Sequence, residues 1–232
     1  MAQNALGFIR AITFDMYGTL LDLEASFVQG FEQFLKAKGS ARQASDVIRN
    51  WEADYLRESM AETLSGLSRT PFEQVRRTSL SQVFARLGVD HAPEDIESLL
   101  TTAARVSLFP DVRQGLLDLE KRYTLAVLSN GDLGPLQRAV SVLAIPVEKV
   151  ISAEQAGVYK PHPAVYAAAV EQLGLQRDQV LHVAAHAWDI RGAKAFGLLG
   201  AYINRDNASY GDSPLQADLE VAKLTDLAGR LP

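Results

Sequence analysis

Near the start of the chain, an aspartate follows an apolar run and is followed closely by a glycine. Residues 12–21 read Ile-Thr-Phe-Asp-Met-Tyr-Gly-Thr-Leu-Leu. Ile, Thr and Phe favour a strand, and Gly18 can adopt backbone angles that a side chain would forbid. Asp15 is therefore expected at the carboxyl end of a strand, where parallel α/β sheets keep their functional groups. It is a candidate nucleophile, although the same position also suits a simple helix cap.

Composition narrows the classes of protein to which this chain can belong. Its 232 residues are 47% hydrophobic, which is ample for a sizeable core. The net charge of −5 and an isoelectric point near 5.4 argue against a nucleic-acid partner. The absence of cysteine excludes disulfides, thiolate nucleophiles and cysteine metal sites. No signal segment or run of bilayer-spanning length is evident, so we expect no membrane partner and a cytoplasmic location.

Two kinds of periodicity divide the chain. From Asp22 to Arg105 apolar residues recur three or four positions apart, as at Phe27, Phe31 and Leu35, which predicts about four helices and no strand. After Pro110 predicted helices and strands alternate. The strands are expected at 124–128, 150–151, 180–184 and 200–203, and the helices at 133–143, 163–173 and 189–196, with one ending near 121 and another starting near 224.

This alternation predicts a parallel sheet with helices on both faces. Because the strand before Asp15 must join that sheet, the helical stretch is expected to be an insertion above its carboxyl edge. The predicted domains are an α/β core of residues 1–21 and 106–232 and a helical cap of residues 22–105.

Three further loops on the same predicted edge carry polar residues. They are Ser129-Asn130-Gly131, Tyr159-Lys160-Pro161 and the His186–Asp189 segment. Taken singly, these are ordinary features: a common turn, a surface charge before a proline, and a helix cap. Their order and spacing form one joint pattern, and we expect them to converge near Asp15.

This pattern resembles the haloacid dehalogenase superfamily of hydrolases, over essentially the whole chain and including its helical cap. The Asp-Met-Tyr-Gly-Thr sequence at 15–19, the 159–166 stretch and Ala187-Trp188-Asp189 are more similar to the 2-haloacid dehalogenases than to the phosphatases. The resemblance implies a Rossmann-like core and a small anionic substrate. It also implies that Asp15 attacks C2 of a short 2-haloacid and that water hydrolyses the resulting aspartyl ester to a 2-hydroxyacid, with inversion at C2.

The resemblance also suggests roles for other residues. Lys160 would keep Asp15 ionised, and Asp189 would orient either Lys160 or the hydrolytic water. The residues expected to bind substrate or leaving halide are Tyr17, Thr19, Ser129, Asn130, Tyr166 and His186. Tyr17 and Tyr166 would line the pocket, with simple packing as the alternative. His186 would donate or accept a hydrogen bond or help to position water. For Thr19, a turn hydroxyl that satisfies local backbone groups is an equal alternative. Trp188 is assigned to packing between a helix and the cap, and His182 to a structural role inside its strand.

Tyr17 separates dehalogenation from phosphate-ester hydrolysis. Superfamily phosphatases carry a second aspartate here to protonate the leaving alkoxide, and a phenol with an ordinary pKa of about 10 is a poor substitute. Halide leaves without a proton. The phosphatases also hold Mg²⁺ with an acidic pair four residues apart, whereas Ala185 precedes Asp189 here. We therefore predict no metal and no cofactor. A small-molecule phosphatase and a non-catalytic binding protein are the alternatives.

The cap departs from the dehalogenase pattern. Similar enzymes carry an arginine just after a cap tryptophan, but Glu52 follows Trp51 here. Either the alignment of the cap is shifted, a neighbour such as Arg49 or Arg57 takes the role, or the substrate differs. Ala184 also stands where a serine is common. Similar dehalogenases are often homodimers, so the aromatic residues of the cap are expected either at a dimer interface or inside one subunit.

Overall fold

The computed structural model describes residues 6–102, 107–142, 144 and 147–232. The chain divides into two compact units: Met1–Leu20 with Leu108–Pro232, and Leu21–Ser107. We call them the sheet unit and the helical unit. None of the described helices is long and apolar enough to cross a bilayer.

The sheet unit contains a six-stranded sheet in the order β5-β4-β1-β6-β7-β8, and every neighbouring pair is parallel. β1 is fully buried between β4 and β6, with Phe14 opposite Val127 and Val183. Because all strands run the same way, their carboxyl ends meet at one edge. The strands are β1 Ala11–Phe14, β4 Thr124–Ser129, β5 Lys149–Ser152, β6 Val180–Ala184, β7 Leu199–Ile203 and β8 Leu219–Val221. Two short strands, β2 Leu21–Asp22 and β3 Ser107–Leu108, pair separately.

The predicted α/β class and the alternation of elements are confirmed. In the sheet unit, α5 packs against α9, and α7 packs against α8. These helices are α5 Val112–Leu119, α6 Leu133–Val142, α7 Pro163–Leu173, α8 Ala187–Phe196 and α9 Leu224–Arg230. The sequence did not reveal β8, because it has only three residues and an exposed glutamate at its centre. The predicted end of α6 at Leu143 lies outside the described residues.

The helical unit has four helices among its described residues, as its periodicity predicted. They are α1 Leu23–Ala37, α2 Ala44–Leu64, α3 Phe72–Leu87 and α4 Pro93–Thr102. Aromatic rings fill its interior, and Trp51 stacks on Phe31 and meets Phe27 edge-on. The Trp51 indole also donates a hydrogen bond to the backbone oxygen of Arg76, at 2.8 Å. These rings are buried within one chain, whereas the position of the unit above the sheet edge stays a prediction.

Arg76, which the motif alignment missed, is the basic residue beside Trp51. Its guanidinium carbon lies 4.9 Å from the centroid of the Trp51 ring. Arg49 and Arg57, the expected replacements, have side chains that are 62% and 61% exposed and pair with neighbouring aspartates. Spacing could not reveal Arg76, because it reaches Trp51 from a different helix.

Candidate active site

Asp15 follows directly after β1, in a tight turn at the carboxyl edge of the sheet. Its backbone N–H donates to the carbonyl of Val183 at 2.9 Å, which continues the pairing with β6. Gly18 has a φ of 77°, a conformation that explains the glycine in this turn. The turn brings Thr19 back to the carboxylate, and its hydroxyl donates to Asp15 Oδ2 at 2.9 Å. The same hydroxyl accepts from the Ala185 backbone N–H at 2.9 Å, so both loops are fixed together.

A fully buried lysine contacts the candidate nucleophile. Lys160 Nζ lies 3.2 Å from Asp15 Oδ1 and 2.7 Å from Asp189 Oδ2. The loop carrying Lys160 is fixed by Asn130, whose side-chain oxygen accepts from the Lys160 backbone N–H at 2.9 Å. One ammonium group therefore bridges two carboxylates that have little contact with solvent.

Asp189 is held from several sides. It lies in the first turn of α8, where the helix dipole favours negative charge. The Tyr166 hydroxyl donates to its Oδ1 at 2.7 Å, and His182 Nε2 lies 3.1 Å from its Oδ2. His182 Nδ1 in turn lies 2.9 Å from the Thr13 hydroxyl oxygen on the neighbouring strand. Lys160, Tyr166 and His182 thus fix the orientation of this carboxylate.

The charges in this cluster stabilise one another. Burial alone would raise the pKa of Asp15, but the positive charge of Lys160 and interaction with His186 outweigh it and lower that pKa below its ordinary value. Asp189 behaves in the same way, since Lys160 and His182 counteract burial and lower its pKa. Burial would lower the pKa of Lys160, but its two carboxylate partners raise it. At neutral pH, Asp15 is therefore a carboxylate and Lys160 an ammonium.

These shifts predict how the reactive carboxylate responds to pH. A lowered carboxyl pKa means that the ionised form favours the folded state above the ordinary value of 3.8, and this contribution is lost as pH falls below it. The raised pKa of Lys160 keeps its ammonium group charged to a higher pH than is usual for a lysine. We expect Asp15 to stay ionised between about pH 5 and pH 9, so any activity that depends on its carboxylate should stay constant when it is assayed across this range. A loss centred near pH 6 would contradict the lowered pKa of Asp15.

Gly192 allows the close approach of Tyr166. A Cβ atom at this position would lie 2.5 Å from the Tyr166 hydroxyl oxygen and 2.6 Å from Pro161 Cβ. We expect Gly192→Ala to lower the free energy of unfolding by about 1–3 kcal/mol and to reduce activity, because Tyr166 would shift away from Asp189. Gly134→Ala is the matched control, since its added methyl would approach only Arg138, at 3.6 Å. Denaturant unfolding measures both variants, and equal stabilities would contradict this assignment.

The structure brings most of the predicted site residues together and revises several of their contacts. Lys160, Thr19 and His186 surround Asp15, with His186 Nδ1 at 3.8 Å from Asp15 Oδ2. The hydroxyl of Thr19 bonds to the Asp15 carboxylate and to the backbone N–H of the distant Ala185, not to the backbone of its own turn. Tyr166 is fully buried and its hydroxyl donates to Asp189, while its predicted place in a substrate pocket stays a prediction.

The structure also gives the burial and contacts of three further residues, Ser129, Tyr17 and His182. Ser129 is fully buried, and its hydroxyl oxygen accepts from the Gly131 N–H at 3.4 Å. The Tyr17 ring is half-buried and lies close to Gly131. A Cβ atom added at Gly131 would lie only 3.0 Å from the Tyr17 ring. His182, which was assigned a structural role in its strand, has its ring against Asp189. A lone histidine in an apolar strand carries no sequence signal for this contact.

The residues present do not fit the magnesium site of superfamily phosphatases. Asp15 and Asp189 each contact the ammonium group of Lys160, so a cation already bridges the two carboxylates. Asp189 Oδ1 is occupied by the Tyr166 hydroxyl, and Ala185 supplies no further carboxylate. Magnesium needs several hard oxygen ligands in a near-octahedral arrangement, which this set does not provide.

Comparison with known proteins finds relatives that match this chain over most of its length. The family model described as haloacid dehalogenase-like hydrolase matches residues 9–197. The chain belongs to the haloacid dehalogenase-like hydrolase family. The haloacetate dehalogenase H-2 of Moraxella sp. (strain B) is 32% identical to this chain. The match covers 92% of this chain and 93% of the Moraxella protein.

Solved structures of this hydrolase family match the whole fold. A crystal structure of an L-2-haloacid dehalogenase superposes with a TM-score of 0.87 and 27% identity, covering 96% of this chain and 98% of the other. The L-2-haloacid dehalogenase of Xanthobacter autotrophicus, with chloropropionic acid covalently bound, has a TM-score of 0.82 and 26% identity. That match covers 95% of this chain and 97% of the other.

Proposed function

We propose that this hydrolase is a 2-haloacid dehalogenase that converts a short 2-haloacid into a 2-hydroxyacid through an ester of Asp15. One observation carries the proposal. An ionised carboxylate at the carboxyl edge of the sheet is held by Lys160 and Thr19, while Tyr17 stands where a phosphatase needs a carboxylic acid. This set of groups suits displacement of a leaving group that requires no proton.

The first step is attack of Asp15 on C2 of the substrate. An oxygen of the carboxylate forms a bond to C2 as the carbon–halogen bond breaks, and the halide departs with the electron pair and inversion at C2. Lys160 and Thr19 limit rotation of the carboxylate, so it is oriented before substrate arrives. The Lys160 charge also keeps Asp15 unprotonated. It lowers the nucleophilicity of the carboxylate, and the fixed orientation of the carboxylate offsets this loss.

The second step is hydrolysis of the ester at Asp15 Cγ. Esterification removes the negative charge of Asp15, whereas Lys160 stays paired with Asp189. When water adds to Cγ, the new negative charge on oxygen develops beside Lys160, which can stabilise it. Asp189 is fully buried and its two oxygens contact Tyr166, Lys160 and His182. This environment supports the role of orienting Lys160 over that of activating water.

The names of similar proteins support the substrate class. One relative is a haloacetate dehalogenase, and the neighbouring crystal structures are L-2-haloacid dehalogenases. One of those structures holds chloropropionic acid covalently bound, in agreement with a covalent intermediate at an equivalent fold. These names support a small 2-halocarboxylate as the proposed substrate.

The test compares two reactions of the purified protein. We expect halide release from 2-chloropropionate in EDTA, and no Mg²⁺-dependent phosphate release from a generic phosphate ester. Phosphate release without halide release would favour the phosphatase alternative, and silence in both assays would favour a binding protein. In single-turnover reactions in ¹⁸O water, the heavy oxygen should enter the Asp15 side chain and not the product.

A further inference from the structure

His186 is placed differently from the other titratable groups around Asp15. Its Nδ1 lies 3.8 Å from Asp15 Oδ2, too far for a direct hydrogen bond and close enough for one water molecule to contact both the ring and the carboxyl carbon. The side chain is 22% exposed, whereas the side chains of Lys160 and Asp189 have no exposure. Solvent therefore reaches part of the His186 ring, whereas Nδ1, the nitrogen that faces Asp15, is itself buried.

The local fold fixes the imidazole in this position. His186 is the residue immediately before α8, and its ring lies against that of Trp188, with centroids 5.6 Å apart. The preceding residue, Ala185, donates its backbone N–H to Thr19, which also bonds to Asp15. The loop bearing the histidine is thus tied to the turn that bears the carboxylate.

Charge distribution separates the roles of the two nearby basic side chains. Lys160 contacts Asp15 Oδ1 and Asp189, and its ammonium has no lone pair with which to accept a proton. Thr19 and His186 face the other oxygen, Oδ2. A neutral imidazole has a lone pair and suits proton removal near neutral pH.

We infer that His186 is the general base that activates water for hydrolysis of the Asp15 ester. This inference rests on the proposed function. A nitrogen of the neutral imidazole takes a proton from water as the water oxygen bonds to Asp15 Cγ. The bond between Cγ and the ester oxygen then breaks, and the departing 2-hydroxyacid oxygen takes the proton from the imidazolium. The second water proton is released when Asp15 ionises again.

The experiment separates the two chemical steps in His186→Asn. Rapid-quench measurement with excess 2-chloropropionate should show about one halide per site at the wild-type rate, followed by turnover that is about 10²–10⁴-fold slower. Intact-protein mass spectrometry of the quenched variant should show the carboxyethyl adduct, and peptide mapping should locate it on Asp15. His162→Asn is the matched control, because this exposed histidine caps α7 and asparagine can also cap a helix.

Chemical rescue tests the base directly. In His186→Ala, added imidazole should accelerate decay of the accumulated ester, and it should leave wild-type turnover unchanged. The inference is wrong if the halide burst and turnover fall together, if no ester accumulates, or if turnover of His186→Asn is unaffected. If the wild-type protein releases no halide, the proposed function itself fails, so the two failures are distinguishable.

Discussion

Replacing Asp15 with asparagine is expected to reduce halide release from 2-chloropropionate by at least about 10⁴-fold, because the amide cannot supply the attacking oxygen anion. The substitution keeps the size of the side chain and its position at the end of β1. It also leaves Lys160 paired with Asp189, so the buried charges become one ammonium and one carboxylate. Because the ionised Asp15 carboxylate also favours the folded state, we expect the variant to fold with an unfolding free energy equal to or moderately below that of the wild type.

Steady-state halide assays and denaturant unfolding on the same preparation provide both measurements. Asp178→Asn is a suitable control, because Asp178 is exposed near the opposite, amino end of β6 and should tolerate the change in both assays. Residual turnover within tenfold of wild type would exclude Asp15 as the nucleophile. Loss of folding in Asp15→Asn would instead show that its charge is needed for stability.

Replacing Lys160 with methionine is expected to damage both stability and activity. The change removes the ammonium group from between Asp15 and Asp189 and leaves two buried carboxylates without their shared cation. Removing one partner of a buried ion pair typically lowers the free energy of unfolding by about 3–5 kcal/mol. Halide release should also fall strongly, because the pKa of Asp15 rises and its orientation is lost.

A second substitution distinguishes lost charge balance from lost packing. Adding Asp189→Asn to Lys160→Met removes one of the uncompensated carboxylates and should recover part of the lost stability without restoring activity. Lys121→Met controls for the substitution type, since Lys121 is 67% exposed in its ion pair with Asp118 and should change stability by less than about 1 kcal/mol. Equal stability losses in the single and double variants would point to packing.

Much of the sheet unit was predictable because its signals are local. The strand at 180–184 and the helix at 163–173 match their predicted bounds, since each combines a clear apolar pattern with nearby turn or proline signals. The edge at which Asp15, Lys160 and Asp189 meet follows from parallel topology. The sequence order of these residues, with the family resemblance, was therefore enough to predict their proximity.

The contacts that the sequence could not predict are those made between distant elements. Tyr166 was expected at the substrate and His182 in a structural role, and neither expectation included the contacts that both make with Asp189, from α7 and from β6. Arg76 lies over Trp51 across two helices of the helical unit. In each case the partner depends on how whole elements pack, and no local spacing encodes that arrangement.

The central position of β1 has a consequence for synthesis of the chain on the ribosome. β1 is made first, but it pairs with β4 and β6, and the entire helical unit is translated before either of them. The buried strand that precedes Asp15 therefore lacks its native hydrogen-bonding partners while the insertion emerges. Such long-range pairing makes folding slower and leaves an apolar segment open to aggregation. A helical unit that folds early would shorten the effective separation of these strands and limit that exposure.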